Sequence, residues 1–255
     1  MKIPKDTYFL LLYVWMGIAI VTFLILLKIT APYGRHSSKK WGPMINNRLG
    51  WFLMELPVIA VFTSLFFSGR AEKTLPVYLF YGLFMMHYLH RVFIFPFRLR
   101  DNNKQMPLVI VTMAIVFNLC NGFFNGYWFG WLNNRMYSFS WLTDWRFLAG
   151  ILLFFVGMYI NMDSDRRLIN LRKGGKSGYF VPYGGLFRFV SCPNLMGEII
   201  EWSGWGLMCW CLPAFSFTLW TVANLLPRAV DHHRWYKNHF ADYPPERKAV
   251  FPFIL

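Results

Sequence analysis

The chain has 255 residues, of which 56% are apolar and 20% aromatic, whereas only 15% carry a charged side chain. In soluble domains about a quarter of the residues are charged, so this composition excludes an ordinary soluble protein and predicts a membrane protein. The net charge of +14 would suit a nucleic-acid partner, but the basic residues are scattered between apolar runs without a soluble domain to hold them. We therefore expect membrane lipids as a partner and no nucleic acid, and part of the charge suits a phosphate-bearing ligand.

Seven apolar runs are long enough to cross a bilayer, because about 20 helical residues span its hydrocarbon core. They lie near residues 8–30, 51–69, 75–97, 106–126, 146–162, 194–212 and 213–237. Lysine and arginine mark cytoplasmic loops, and with the N-terminus outside, the outer segments keep only Lys2, Lys5, Arg70, Lys73, Arg135 and Arg146. We therefore predict an all-α integral membrane protein of one domain, residues 1–255, with seven transmembrane helices and a cytoplasmic C-terminus.

The second apolar run contains an acid, Glu55, two residues before Pro57. An unpaired carboxylate at membrane depth is costly, so Glu55 needs a polar partner or a functional reason. The third run supplies candidate partners in His87–Arg91, whose polar groups fall within about 1.5 helical turns. The two histidines of this stretch could be read as metal ligands. However, the chain has only 6 histidines and no His-Glu-x-x-His motif, so we expect no metal site.

Three amides, Asn118, Asn121 and Asn125, recur close together in the fourth run. Asparagine side chains commonly form hydrogen bonds between helices in membranes, where few other polar partners exist. We therefore expect these three side chains to have a structural role in helix pairing.

Polar side chains become dense at the inner ends of the last three predicted helices. The side chains that share one helical face in each segment are Asn161, Asp165 and Arg172; Asn194 and Glu198; and Arg228, His232 and Tyr236. A solvated helix end or a buried ion pair would account for any one of them alone. Together they provide the amides, carboxylates, cations and aromatic ring that bind a phosphate-bearing nucleotide.

The loop Gly174–Gly178 is similar to the end of a phosphate-binding P-loop. The first glycine of that motif is replaced by Asn170, and no strand precedes the loop. A Gly-x-Gly-x-x-Gly motif is also absent from the sequence. A nucleotide would therefore be bound without a P-loop or a Rossmann domain.

Seven ordered segments of the chain resemble the steroid 5α-reductases (3-oxo-5α-steroid 4-dehydrogenases), and together they extend over most of its length. They are Trp51–Pro57, His87–Arg91, Asn161–Lys173, Pro182–Phe187, Asn194–Trp202, His232–Tyr236 and Asp242–Phe253. The resemblance implies a seven-helix membrane enzyme that uses NADPH to reduce the C4–C5 double bond of a Δ4-3-ketosteroid. It also implies that residues 1–105 contribute mainly the steroid pocket and residues 106–255 mainly the NADPH site.

By the same resemblance, Glu55 and Tyr88 fall on the steroid carbonyl site as the catalytic residues. The residues that fall on the cofactor site are Asn161, Asp165, Arg172, Tyr179, Asn194, Glu198, Arg228, His232 and Tyr236. Two positions depart from the family pattern. Met54 stands where the family commonly has glutamine, so one amide near the carbonyl is missing, and Asp231 stands where relatives often have a third histidine.

The expected chemistry fits these side chains. Hydride addition to the β-carbon of an enone moves negative charge onto the ketone oxygen, and a positioned Tyr88 hydroxyl can stabilise that charge by donating a hydrogen bond. Glu55 can hold the donor in place or share its proton. We therefore predict a multi-pass enzyme of the bacterial inner membrane or the endoplasmic reticulum, with its cofactor site facing the cytoplasm and no obligatory protein partner.

Three other functions stay open on the sequence. A related membrane reductase of another sterol, a polyprenol or an enoyl thioester would keep the cofactor residues and change the part before residue 100. A membrane S-adenosylmethionine-dependent methyltransferase of the isoprenylcysteine type also has polar helix ends near its C-terminus, but it would not bind NADPH. A non-catalytic lipid-binding or scaffold protein would bind neither cofactor, and the combination of Glu55 with Tyr88 argues against it.

Overall fold

The computed structural model describes residues 3–32, 34–100, 104–133, 137–174 and 178–255. The α-helices in these ranges are α1 Lys5–Leu26, α2 Asn47–Ser68, α3 Leu75–Leu89, α4 Phe95–Arg98, α5 Leu108–Tyr127, α6 Trp145–Asn170, α7 Pro193–Cys209 and α8 Leu212–His239. A π-helical turn, His90–Ile94, joins α3 to α4, so the described residues form seven long helical segments. This number confirms the predicted helix count.

Four helical segments are long and apolar enough to cross a membrane by length and composition: Lys5–Leu26, Asn47–Ser68, Leu108–Leu132 and Trp145–Asn170. These four helices support the prediction that the chain is an integral membrane protein. The other three predicted spans also form helices, and α8 continues to His239 although its sequence becomes polar after Asn224. The orientation of the chain across the membrane stays a prediction. Two of the basic residues on which it is based, Lys2 and Arg135, lie outside the described residues.

Two short strands were not predicted. Strand β1, Met44–Asn46, pairs antiparallel with β2, Gln105–Pro107, so that Ile45 lies opposite Met106. Asn46 also caps α2, because its side-chain oxygen accepts a hydrogen bond from the backbone N–H of Arg48 at 2.9 Å. Strands of three residues are too short to produce a recognisable alternation of polar and apolar side chains.

The chain divides into two compact units. The first consists of Met1–Leu12 and Pro32–Leu148, and the second of Tyr13–Ala31 and Ala149–Leu255. The first unit therefore contains both predicted catalytic residues, and the second contains all the predicted cofactor residues.

In the first unit, glycines allow α5 to lie directly against α2. Gly122, Gly126 and Gly130 recur every fourth residue along α5 and the π-helical turn that follows it. A Cβ atom at Gly126 would lie only 2.9 Å from the Cα of Phe62, and one at Gly122 would lie 3.1 Å from the carbonyl oxygen of Val58. Small residues of this kind let membrane helices approach closely, which places the polar face of α5 beside α2.

In the second unit, glycines on α6 and α7 likewise allow the two helix backbones to approach closely. A Cβ atom at Gly157 would lie 2.5 Å from the carbonyl oxygen of Gly197, and one at Gly204 would lie 2.6 Å from the carbonyl oxygen of Gly150. The two backbones are therefore in direct contact at both positions. This contact brings Asn161 on α6 alongside the first turn of α7.

Candidate functional site

Glu55 is partly buried on α2 and is held by an amide from α5. The side-chain nitrogen of Asn118 donates a hydrogen bond to the backbone oxygen of Met54 at 2.5 Å. The same nitrogen lies 3.3 Å from Oε2 of Glu55, to which it also donates. Pro57, which lacks a backbone N–H, follows in the same helix. The predicted need of Glu55 for a polar partner is thus met by Asn118.

Tyr88 lies in the last turn of α3 and is only 4% exposed. Its ring packs on Phe84, with 4.7 Å between ring centroids, and lies edge-on to His87 at 5.2 Å. The side-chain nitrogen of Asn121 on α5 donates a hydrogen bond to the Tyr88 hydroxyl oxygen at 3.4 Å. Tyr88 is therefore fixed by ring contacts on its own helix and by an amide from a second helix.

The π-helical turn after Tyr88 redirects the rest of the polar stretch His87–Arg91. Turns of this kind inside α-helices are frequent at functional sites. The guanidinium carbon of Arg91 lies 4.4 Å from the ring centroids of both Trp51 and Phe95. Arg91 is thus held between two aromatic rings, each of which stabilises the cation. Among the described residues, no group of three or more His, Cys, Asp or Glu side chains has the arrangement of a metal site.

The contacts of the α5 asparagines go beyond the helix pairing predicted for them. Asn118 contacts Glu55 and Asn121 contacts Tyr88, while the side-chain nitrogen of Asn125 donates to Oδ1 of Asn121 at 2.8 Å and to its backbone oxygen at 3.0 Å. The spacing of three and four residues was a sequence signal that all three share one face of α5. It did not indicate which helices that face would meet.

In the second unit, three of the predicted cofactor residues form one hydrogen-bonded chain. The side-chain nitrogen of Asn161 donates to the backbone oxygen of Asn194 at 3.0 Å. The side-chain nitrogen of Asn194 in turn donates to Oδ1 of Asp165 at 3.2 Å. Asn161 and Asp165 are 3% and 8% exposed and Asn194 is partly buried, so the chain of hydrogen bonds is largely shielded from solvent. Glu198 follows one turn after Asn194, is partly buried and has no ion pair within the described ranges.

Arg172 and Tyr179 also come together. The guanidinium carbon of Arg172 lies 5.5 Å from the Tyr179 ring centroid, and the Tyr179 ring lies 5.2 Å from that of Trp235 on α8. The Nε atom of Arg172 is buried and has no hydrogen-bond partner in the described part of the chain. A buried guanidinium nitrogen without an acceptor is costly, so Arg172 is suited to an anionic ligand.

The predicted cofactor residues on α8 follow one face of an unbroken helix. Arg228 and His232 are partly buried, and Tyr236 is only 2% exposed. The Tyr236 ring stacks on Tyr243, with 5.2 Å between centroids and 10° between ring planes. Asp231, which departs from the family pattern, lies 3.8 Å from Arg234 as an ion pair within α8.

Sequence reasoning missed a buried polar cluster formed by Ser191, His233 and Tyr243. The Ser191 hydroxyl lies 2.6 Å from Nδ1 of His233 and 2.6 Å from the Tyr243 hydroxyl, and it donates to the backbone oxygen of Lys248 at 3.1 Å. Burial raises the pKa of Tyr243, and the hydrogen bonds of Tyr243 with Ser191 and Arg247 offset this in part. The cluster ties the segment after α8 to the residue two positions before α7.

The backbone conformation of the segment Pro182–Phe187 explains why this motif contains two glycines. Gly184 and Gly185 have φ angles of 81° and 53°, a region that glycine adopts without a steric cost. A Cβ atom at Gly185 would lie 3.0 Å from Nε of Arg167, which itself lies 2.7 Å from Oδ2 of Asp163. The motif therefore forms a turn closely covered by an arginine, and its Pro182 carbonyl accepts a hydrogen bond from Arg247 at 3.0 Å.

The described residues thus form a helical protein with spans apolar enough for a membrane. In one unit, amides of a single helix face contact a partly buried acid and a buried phenol. In the other unit, two amides and a carboxylate are joined by hydrogen bonds. A family model described as 3-oxo-5-alpha-steroid 4-dehydrogenase matches residues 104–255. The chain is 44% identical to steroid 5-alpha-reductase DET2 of Gossypium hirsutum over 93% of both chains. It is 38% identical to 3-oxo-5-alpha-steroid 4-dehydrogenase 1 of Rattus norvegicus over 96% of this chain and 95% of that one. The chain belongs to the steroid 5α-reductase family.

Proposed function

We propose that this protein reduces the C4–C5 double bond of Δ4-3-ketosteroids to give 5α-reduced 3-ketosteroids, with NADPH as the hydride donor. Family membership supports the reaction class. The observation that carries the proposal is that one face of α5 donates hydrogen bonds to both Glu55 and Tyr88. An acid and a phenol are thereby held near the same helix face inside one unit, as polarisation of a single ketone requires.

On the steroid side, the Tyr88 hydroxyl donates a hydrogen bond to the C3 oxygen of the substrate. NADPH, when bound, supplies the hydride that adds to C5. As negative charge develops on the C3 oxygen, the Tyr88 donor stabilises it, and this interaction is stronger in the transition state than in the bound substrate. Glu55 holds the donor in position or shares the proton that the enolate oxygen takes up. The enol becomes the saturated ketone when a proton from solvent adds to C4 and the proton on the oxygen is returned. Tyr88 is only 4% exposed, so little water competes for its hydroxyl.

On the cofactor side, the residues fit a phosphate-bearing dinucleotide. The Arg172 Nε is a buried donor without an acceptor among the described residues, and a phosphate oxygen would satisfy it. Asn161, Asp165 and Asn194 offer ordered amide and carboxylate groups for sugar hydroxyls or a carboxamide. We assign Arg172 to a phosphate of NADPH, and Tyr179, Glu198, Arg228, His232 and Tyr236 to the remaining contacts of the cofactor. This site would face the cytoplasm, where NADPH is found, and the steroid would enter from the lipid.

The function is tested by adding a panel of Δ4-3-ketosteroids to the purified protein with NADPH or NADH. The expected result is steroid-dependent loss of reduced nicotinamide absorbance, together with a 5α-reduced product identified by mass spectrometry. Polyprenols and enoyl thioesters belong in the same panel, because oxidation with one of them alone would assign a related reductase. Binding of S-adenosylmethionine without NADPH would contradict the proposal.

Replacing Glu55 by glutamine should lower kcat by about 10² or more, the usual range for a group that moves a proton. Glutamine keeps the shape of the side chain and an oxygen that accepts from Asn118, but it cannot ionise or give up a proton. Steady-state rates with a fixed steroid measure the effect, and the exposed Glu72 provides the control variant Glu72→Gln. An unchanged kcat would return Glu55 to a purely structural role.

Replacing Arg172 by alanine should raise the Kd of NADPH by about 10- to 100-fold, since a charge-assisted hydrogen bond contributes roughly 1.5–3 kcal/mol. Titration calorimetry with NADPH and no steroid measures the change directly. Arg166→Ala is the matched control, because that side chain is 59% exposed and pairs with Asp163. Equal affinities of NADPH for both variants would remove Arg172 from the cofactor site.

A further inference from the structure

The direction of the hydrogen bonds along α5 can be read from the amide groups. Asn125 donates from its side-chain nitrogen to Oδ1 of Asn121 at 2.8 Å. This bond fixes the orientation of the Asn121 amide, because its oxygen must face Asn125. The Asn121 nitrogen therefore faces the Tyr88 hydroxyl oxygen, to which it donates at 3.4 Å. All three groups are buried, with exposed fractions of 1% for Asn125, 3% for Asn121 and 4% for Tyr88.

A hydroxyl group that accepts a hydrogen bond from Asn121 directs its own proton away from Asn121. We propose that Asn125 and Asn121 form a one-way hydrogen-bond relay that orients the Tyr88 hydroxyl as a donor toward the ligand. Both asparagines are positioning residues, since they act through Tyr88. The proposal rests on the proposed function, in which the ligand is a ketone oxygen.

The relay also makes Tyr88 a stronger donor. Each hydrogen bond in a chain polarises the next, so an amide that donates to the phenol oxygen stabilises the charge that oxygen gains as its proton is shared. This effect is larger at a buried site, where water does not screen it. At the other end of the relay, Oδ1 of Asn125 is buried without a hydrogen-bond partner among the described residues. The direction of the relay is set by the amide nitrogens, which are the donors at both steps.

The first test measures turnover. Asn121→Leu should lower kcat by about tenfold with little change in the KM of the steroid. Asn125→Leu, which alters a residue with no hydrogen bond to Tyr88, should lower it by a few fold. Asn121→Asp should have a larger effect, about 100-fold, because a carboxylate there accepts the Tyr88 proton and reverses the relay. Asn121→Ser replaces Asn121→Leu if the larger side chain prevents folding, and Thr112→Val, on the exposed face of α5, is the control.

A double-mutant cycle separates positioning from simple structural support. In a Tyr88→Phe background, Asn121→Leu should cause no further loss of kcat, because the relay has no hydroxyl to orient. An equal loss of kcat in both backgrounds would overturn the proposal, since a merely structural amide would affect both.

A readout without turnover keeps this proposal distinct from the proposed function. With 3-fluorotyrosine incorporated at position 88, the ¹⁹F resonance should move in Asn121→Leu and, by a smaller amount, in Asn125→Leu. It should stay in place in Thr112→Val. An unmoved resonance in both asparagine variants would refute the relay even if the enzyme is active. If the resonance shifts in both asparagine variants but the wild-type protein does not oxidise NADPH with any steroid, the relay would be supported and the proposed function refuted.

Discussion

Tyr88→Phe should lower kcat by about 10²–10³, the usual effect of removing one donor from a developing oxyanion. The reason is that phenylalanine preserves the ring contacts with Phe84 and His87 and deletes only the hydroxyl. Because the predicted cofactor residues all belong to the second unit, the Kd of NADPH should stay within about twofold of wild type. Steroid turnover followed by product formation, and NADPH titration without steroid, measure the two quantities separately.

Tyr81→Phe is the matched control for this variant. Tyr81 lies two turns earlier in α3, and its hydroxyl is 3.0 Å from Oγ1 of Thr63. Losing that hydrogen bond should reduce the free energy of unfolding by about 1 kcal/mol and leave kcat unchanged. Wild-type turnover in Tyr88→Phe would remove Tyr88 from the mechanism, and a parallel loss of kcat in Tyr81→Phe would indicate a general effect on α3.

Gly157→Leu should prevent the second unit from folding. A Cβ atom at Gly157 would lie 2.5 Å from the carbonyl oxygen of Gly197 and 2.7 Å from the Cα of Glu201, and backbone atoms cannot move aside as a flexible side chain can. Helices α6 and α7 would be forced apart, which would break the hydrogen bond between Asn161 and Asn194. Gly157→Ala already carries this Cβ atom, so it should destabilise by about 3 kcal/mol or more, at or above the upper end of the usual cost of overpacking. Monomer recovery from size-exclusion chromatography in detergent and thermal unfolding measure both variants.

Gly17→Leu is the control for the glycine substitutions. Gly17 lies in the middle of α1, and a Cβ atom there would have no heavy atom within 4 Å. An apolar side chain that points into lipid carries no steric cost, so monomer recovery and unfolding temperature should match wild type. Normal recovery of Gly157→Leu would contradict the close contact between α6 and α7.

The helices, the membrane environment and the candidate side chains followed from the sequence. Long apolar runs must form helices in lipid, because no other local structure satisfies their backbone groups there. The cost of a carboxylate in such a run singled out Glu55. Spacing in a helix grouped Asn161 with Asp165, and Arg228 with His232, before any tertiary contact was known.

Only the tertiary structure decided which polar groups meet. Asn118 and Asn121 of α5 donate to Glu55 and Tyr88, and they lie more than thirty residues further along the chain. The Ser191 cluster likewise joins residues separated by 42 and 52 positions. Helical periodicity fixes which side chains share a face, whereas the choice of the facing helix depends on where glycines allow backbones to touch and on burial over the whole unit. The residues that share a helix face can be read from the local pattern of a single sequence. The identity of the facing helix depends on residues far apart in the sequence, so no local pattern reveals it.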